Sequence, residues 1–129
     1  MIGARPFLVA FNINLRSRDI AAAREIARKI RASGGGLSHV KAVGIDLQNQ
    51  GMVQVSINVT DYHVAPLHVV LDLVRKEAAV KGIEVAETEI YGLVPAEALI
   101  AAAAHALQIA DFETSQVLDL RLLDLQENQ

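Results

Sequence analysis

The chain has 129 residues, 52% hydrophobic and 21% charged, with a formal net charge of −3. A chain of this length closes a core without staples, and the lack of cysteine excludes a disulfide scaffold, a thiol nucleophile and cysteine metal sites. The acidic balance and an aromatic content of 4% argue against a nucleic-acid partner, which needs a basic or base-stacking surface.

Residues 1–6 lack the charged-then-apolar order of a secretion signal. The longest apolar run, around Leu99–Ala104, is too short and too polar at its flanks to cross a bilayer. A soluble, cytoplasmic protein with no membrane partner is therefore expected. Phe7 to Leu15 reads as the first strand, with Pro6 at its start. Phe7, Val9, Phe11, Ile13 and Leu15 share one parity; Asn12 and Asn14 share the other. A helix follows from about Asp19 to Ala32, capped by Ser17 or Asp19 and ended by Ser33-Gly34-Gly35-Gly36. Ile20, Ala23, Ile26, Ala27 and Ile30 form its apolar side, and Arg24, Arg28, Lys29 and Arg31 its basic side.

Val40 to Leu47 and Met52 to Thr60 read as two strands of a hairpin turned by Asn49-Gln50-Gly51. The second alternates strictly, with Val53, Val55, Ile57 and Val59 on one side and Gln54, Ser56, Asn58 and Thr60 on the other. Pro66 opens a second helix to about Lys81, with Leu67, Val70, Leu71, Val74 and Ala78 as its stripe. Ile83 to Tyr91 is a fourth strand. An alanine-rich helix over 96–110 is expected to turn Leu99, Ile100, Ala103 and Leu107 inward and Glu97, His105 and Gln108 outward. The segment 112–129 is expected to be partly extended and partly helical.

This order predicts an α+β fold: a ferredoxin-like βαββαβ sandwich with extra C-terminal helices, in one domain over 1–129. Strands one and three then lie side by side at the centre, with both helices on one face. Asn12, Asn14, Gln54, Ser56, Asn58 and Thr60 gather on the other. Such a face can simply be solvated. Its side chains, however, are amides and hydroxyls rather than lysines and glutamates, and amides offer donors and acceptors together. That suits the wall of a ligand cleft or a face packed on another domain. An RNA-recognition sheet would need aromatic residues at these positions.

No compact metal motif joins His39, His63, His68 and His105, and His68 beside Asp72 reads as a surface histidine near a carboxylate. The basic helix face is either solvated or attracts carboxylates. Ser33-Gly34-Gly35-Gly36 follows a helix rather than preceding one, so it is no phosphate loop. No complete catalytic site is visible.

Several blocks resemble the C-terminal subdomain of glutamate formimidoyltransferases. These are Gly3-Ala4-Arg5-Pro6-Phe7-Leu8-Val9-Ala10-Phe11-Asn12-Ile13-Asn14-Leu15, Val40-Lys41-Ala42-Val43-Gly44, Gln54 to Tyr62, Pro66-Leu67-His68 and Glu89-Ile90-Tyr91-Gly92-Leu93-Val94-Pro95. The resemblance covers nearly the whole chain. It implies a one-carbon-group transferase that moves a formimidoyl group from formiminoglutamate to tetrahydrofolate in histidine degradation. Folate would lie in a groove between two α/β halves. The family's catalytic histidine belongs to an N-terminal half not contained in these 129 residues, so no catalytic residue is carried onto this chain. The partner half is expected in cis or as a separate chain. Under this resemblance Asn12, Asn14, Gln54, Ser56 and Asn58 would line the folate wall, and Lys29 would fall on a helix position that contacts folate. Surfaces left bare by the missing half predict self-association, as a dimer or other homo-oligomer. The alternative is a non-catalytic ferredoxin-like interaction or dimerisation module.

Overall fold

A computed structural model describes residues 8–31 and 35–127, with side chains described through Leu123. Pro6, Phe7 and the Ser33-Gly34 part of the expected helix exit lie outside the described residues. The elements are β1 (Val9–Leu15), α1 (Ile20–Ile30), β2 (Val40–Leu47), β3 (Met52–Val59), α2 (Leu67–Val80), β4 (Val85–Tyr91), α3 (Ala96–Ala106) and α4 (Leu118–Glu127). Short 3-10 turns occupy Gln48–Gln50 and Thr114–Gln116.

The four strands form one antiparallel sheet in the order β2-β3-β1-β4. This is the ferredoxin-like arrangement, of the α+β class. Two right-handed βαβ units, each split by an inserted strand, produce that order and put α1 and α2 on the same face. Val9, Ile13 and Leu15 of β1 and Val53, Val55, Ile57 and Val59 of β3 are fully buried. They pack with Ala23, Ile26, Ala27 and Ile30 of α1 and with Leu67, Val70, Val74 and Ala78 of α2 in one core.

Local chemistry sets the ends of the elements. The Asp19 carboxylate accepts from the Ala22 N–H at 3.3 Å and caps α1, while Ser17 Oγ accepts from the Asp19 N–H at 3.0 Å. Gly51, with φ of 67°, supplies the left-handed residue that closes the β2–β3 hairpin.

The third helix differs from expectation in length and in face. It stops at Ala106 rather than Ala110, and Gln108 adopts a φ of 57° just beyond it. The buried position is Ala98, and Leu99, Ala102 and His105 border a cavity shared with α2. Leu99, Ala103 and Leu107, expected inside, are exposed. The His105 ring stacks on that of His68, and this contact with α2, rather than the hydropathy of Leu107, sets the docked side of α3.

Close approach also governs the outer strand. A Cβ on Gly44 would lie 2.7 Å from the Arg24 amide nitrogen and 2.9 Å from the Ala23 carbonyl carbon. Both are backbone atoms of α1, so one element must move. Gly44→Ala is expected to lower folding stability by roughly 1–3 kcal/mol, the usual cost of overpacking. A urea midpoint equal to that of the wild type would show that β2 is not pressed against α1.

Candidate functional site

The amide face forms as the alternation requires. The register sets Asn12 opposite Ser56, Asn14 opposite Gln54 and Ala10 opposite Asn58. These residues point away from the side that α1 and α2 cover, because their sequence neighbours fill the core. Five expected residues, Asn12, Asn14, Gln54, Ser56 and Asn58, therefore share one patch on two adjacent strands.

That patch is less open than its polarity suggests. Asn14 is only 2% exposed and Gln54 only 6%. Gln54 Nε2 donates to Asn14 Oδ1 at 2.8 Å and to Glu89 Oε1 at 3.2 Å. Since β1 lies between β3 and β4, the Gln54 side chain reaches across β1 and roofs Asn14. Asn14 Nδ2 in turn lies 3.5 Å from Glu87 Oε1. Further along, Ser56 Oγ donates to Asn12 Oδ1 at 3.1 Å. The face thus has a closed end, where amides satisfy one another and two carboxylates, and an open end formed by half-buried Asn12 and Ser56 and exposed Asn58.

Glu87 and Glu89 were not foreseen as part of this site. The signal was present: in Val85–Tyr91 the two glutamates share one parity, and antiparallel pairing with β1 brings them beside Asn14 and Asn12. On the opposite flank, β2 contributes Val43 and Ile45, which pair with Ser56 and Gln54 and are both exposed. The face therefore grades from apolar on β2, through amides and hydroxyls, to acidic on β4.

Lys29 is not brought to this patch. It sits on α1, across the sheet from the amides, where its Nζ lies 3.6 Å from Glu25 and 3.4 Å from Glu77 of α2. Lys81, at the end of α2, also hydrogen-bonds Glu25, and this contact holds the Glu25 carboxyl below its usual ionisation range, with Lys29 adding to the effect. The group fastens α1 to α2.

Two histidine clusters complete the picture. His63 lies between Asp61 (3.4 Å) and Glu97 (3.3 Å), and the Tyr62 hydroxyl donates to Glu97 at 3.2 Å. Partial burial, with Glu97 beside it, raises the Tyr62 phenol above its ordinary value. This cluster ties the β3–α2 loop to the start of α3.

The second cluster corrects the reading of His68 as a surface group beside a carboxylate. Its ring stacks on His105 with centroids 4.1 Å apart and planes within 16°. The His68 Nδ1 is buried without a partner. Burial, then the neighbouring His105, push His68 below its ordinary value of 6.5, and Asp72 opposes them. The folded state therefore binds a proton less readily than the unfolded chain. Stability should be complete above pH 6.5 and decline as pH falls below it. His68→Phe, which keeps a flat ring, should flatten that decline. Urea midpoints measured between about pH 7.5 and pH 5 test this; equal slopes for the two proteins would exclude His68 as the cause.

The closed end of the amide face makes its own prediction. Asn14→Ala strands a buried Gln54 donor, and should cost about 1–3 kcal/mol of folding stability. Asn58→Ala, at the exposed end, should be nearly neutral in the same denaturation assay.

Among the described residues, no helix is long and apolar enough to cross a membrane. A family profile described as "Formiminotransferase domain" matches residues 10–121. The chain is 42% identical over 122 residues to a glutamate formimidoyltransferase of Thermoplasma acidophilum, covering 95% of this chain and 40% of that protein. It is 41% identical over 123 residues to a glutamate formimidoyltransferase of Streptococcus pyogenes, covering 95% of this chain and 41% of the relative. A formimidoyltransferase-cyclodeaminase of Mus musculus is 42% identical over 108 residues, 79% of this chain and 20% of the relative. The chain thus spans about two-fifths of the shorter relatives and one-fifth of the longer one.

Proposed function

The chain belongs to the formiminotransferase domain family, and from that premise we propose that it is the folate-binding half of a glutamate formimidoyltransferase. In this reading it holds tetrahydrofolate while a formimidoyl group passes to it from formiminoglutamate, in histidine degradation. The observation that carries the reading is the open end of the amide face. Asn12, Ser56 and Asn58 stand on two adjacent central strands, free of the helices and not closed over by neighbours. A pterin ring has amide-like edges with donors and acceptors side by side, and carboxamides match such edges.

The two ends of the face then have different jobs. Asn12, Ser56 and Asn58 contact the substrate. Asn14 and Gln54 are positioning residues, locked by each other and by Glu87 and Glu89. The exposed Val43 and Ile45 on the β2 flank suit packing against a second α/β half. That most of each relative's length lies outside the aligned stretch supports a partner half in cis. Without it, the unpaired face favours a homo-oligomer. We place the protein in the cytoplasm and treat residues 1–129 as one domain.

The chain's own residues supply binding and orientation. We assign none of them as general acid, general base or nucleophile, and Lys29 is reassigned from folate contact to helix fastening. We therefore expect negligible formimidoyl transfer from the chain alone, and measurable transfer when it is combined with the remaining part of a relative. In the recombined enzyme, Asn12→Ala or Asn58→Ala should raise the KM for tetrahydrofolate ~2–10-fold, the worth of one hydrogen bond, with little change in kcat. Unchanged kinetics in both variants would remove the open end of the face from the folate site. Enzyme-like turnover by the isolated chain would refute its assignment as a non-catalytic half.

A further inference from the structure

We propose that the groove between α1 and the outer edge of β2 binds a small, multiply charged oxyanion through Arg24, Arg28 and Arg31. The three arginines lie on the helix side of the sheet, and the groove meets the amide face only at Val43 on the edge strand, so the proposal does not rest on the folate reading.

The groove has a volume of about 630 Å³, and all three arginines line it together with Glu25, Val43 and Gly44. Arg24 and Arg28 stand at i and i+4 of α1, one above the other on a single helix face, and Arg31 follows as the residue that caps its C-terminus. Like charges at that spacing repel. Among the described residues, none of the three has a carboxylate within ion-pair distance. Glu25, the carboxylate at the rim, is engaged by Lys81 and Lys29. The local positive charge therefore has no internal counterpart, in a chain whose net charge is −3.

The geometry of Arg31 adds a second, independent point. Its Nη1 donates to the Ala42 carbonyl of β2 at 3.4 Å, which aims the guanidinium along the strand edge. Its Nε is buried and has no partner. A buried donor left unmade is costly, so a turn of the Arg31 guanidinium toward an oxyanion in the groove would gain a hydrogen bond that the groove's own residues do not supply. Because β2 is an edge strand, backbone N–H groups on its outer side also lack a strand partner. Gly44 leaves the floor of the groove without a side chain.

The chemistry selects the ligand class. A guanidinium fork matches the paired oxygens of a phosphate or a carboxylate, and three forks within two helical turns call for several negative charges in a compact molecule. The groove volume is that of a small-molecule site. A phosphate ester and an oligocarboxylate share this chemistry.

The test is a titration of the full chain followed by nitrogen-15 NMR at low ionic strength. The probes are inorganic phosphate, citrate and triglutamate, with sodium chloride at matched ionic strength as control. The expected result is saturable shifts confined to residues 24–31 and 42–44 for at least one polyanion. Affinity should fall about tenfold or more in the Arg24→Gln/Arg28→Gln variant, which loses two charge-assisted contacts. Arg31→Lys, which keeps the charge and loses the fork, should weaken binding by a smaller factor. Tightest binding by phosphate assigns a phosphate-bearing ligand; tightest binding by citrate or triglutamate assigns an oligocarboxylate. Shifts that follow ionic strength alone, with chloride as effective as the polyanions, overturn the proposal. So does saturable binding that keeps its affinity in the double variant.

Discussion

Burial of Val9, Ile13 and Leu15 of β1 beside Val53, Val55, Ile57 and Val59 of β3 fixes the parity of both central strands. Each such side chain contributes about 1.5–3 kcal/mol relative to exposure. Slipping either strand by one residue would expose its aliphatic set and drive its amides into the core. The loss would match or exceed the whole stability of an ordinary domain, which is roughly 5–15 kcal/mol. The position of Asn12, Asn14, Gln54, Ser56 and Asn58 is therefore a consequence of core packing. The chemistry of the uncovered face can vary without disturbing the fold, because the fold is held from the other face.

What the amides do on their own face follows from hydrogen-bond accounting. A buried carboxamide must find partners, and partly satisfied networks are unfavourable. Asn14 and Gln54 solve this by bonding to each other and to Glu87 and Glu89, and so they surrender the groups a ligand would use. Asn12 and Ser56 pair more simply, and Asn58 stays in solvent. One polar stripe is thus divided into a rigid part and a presenting part. The division turns on the reach of Gln54 across β1, which a shorter side chain could not make.

The strand order, the helix side and the membership of the amide stripe were legible because period-two alternation in β3 and the clean parity of β1 leave little choice. Three features were not legible for separate physical reasons. The burial of Asn14 depends on a side chain two strands away, and local pattern holds no information about that reach. Lys29 shares its helix face with arginines in sequence, yet its partners Glu25 and Glu77 become neighbours only when α2 docks. The docked side of α3 follows from a His68–His105 stack between helices, whereas hydropathy pointed to Leu107. Glu87 and Glu89 belong to a fourth case: the information was present in the parity of β4 and needed only the sheet order to become useful.

The same strand order separates charge. Sheet order β2-β3-β1-β4 places Glu87 and Glu89 at one lateral edge, while Arg24, Arg28 and Arg31 line a groove at the other. A net charge of −3 averages over this separation and conceals it. Net charge properly excludes a long polyanion, which needs an extended basic surface and gains affinity from many released counterions. It has no bearing on a compact anion, whose binding depends on the few charges within a Debye length, about 8–10 Å at ordinary salt. Over that distance the α1–β2 groove is a cationic site in an acidic protein, because Glu25, the carboxylate that lines it, is engaged by Lys81 and Lys29.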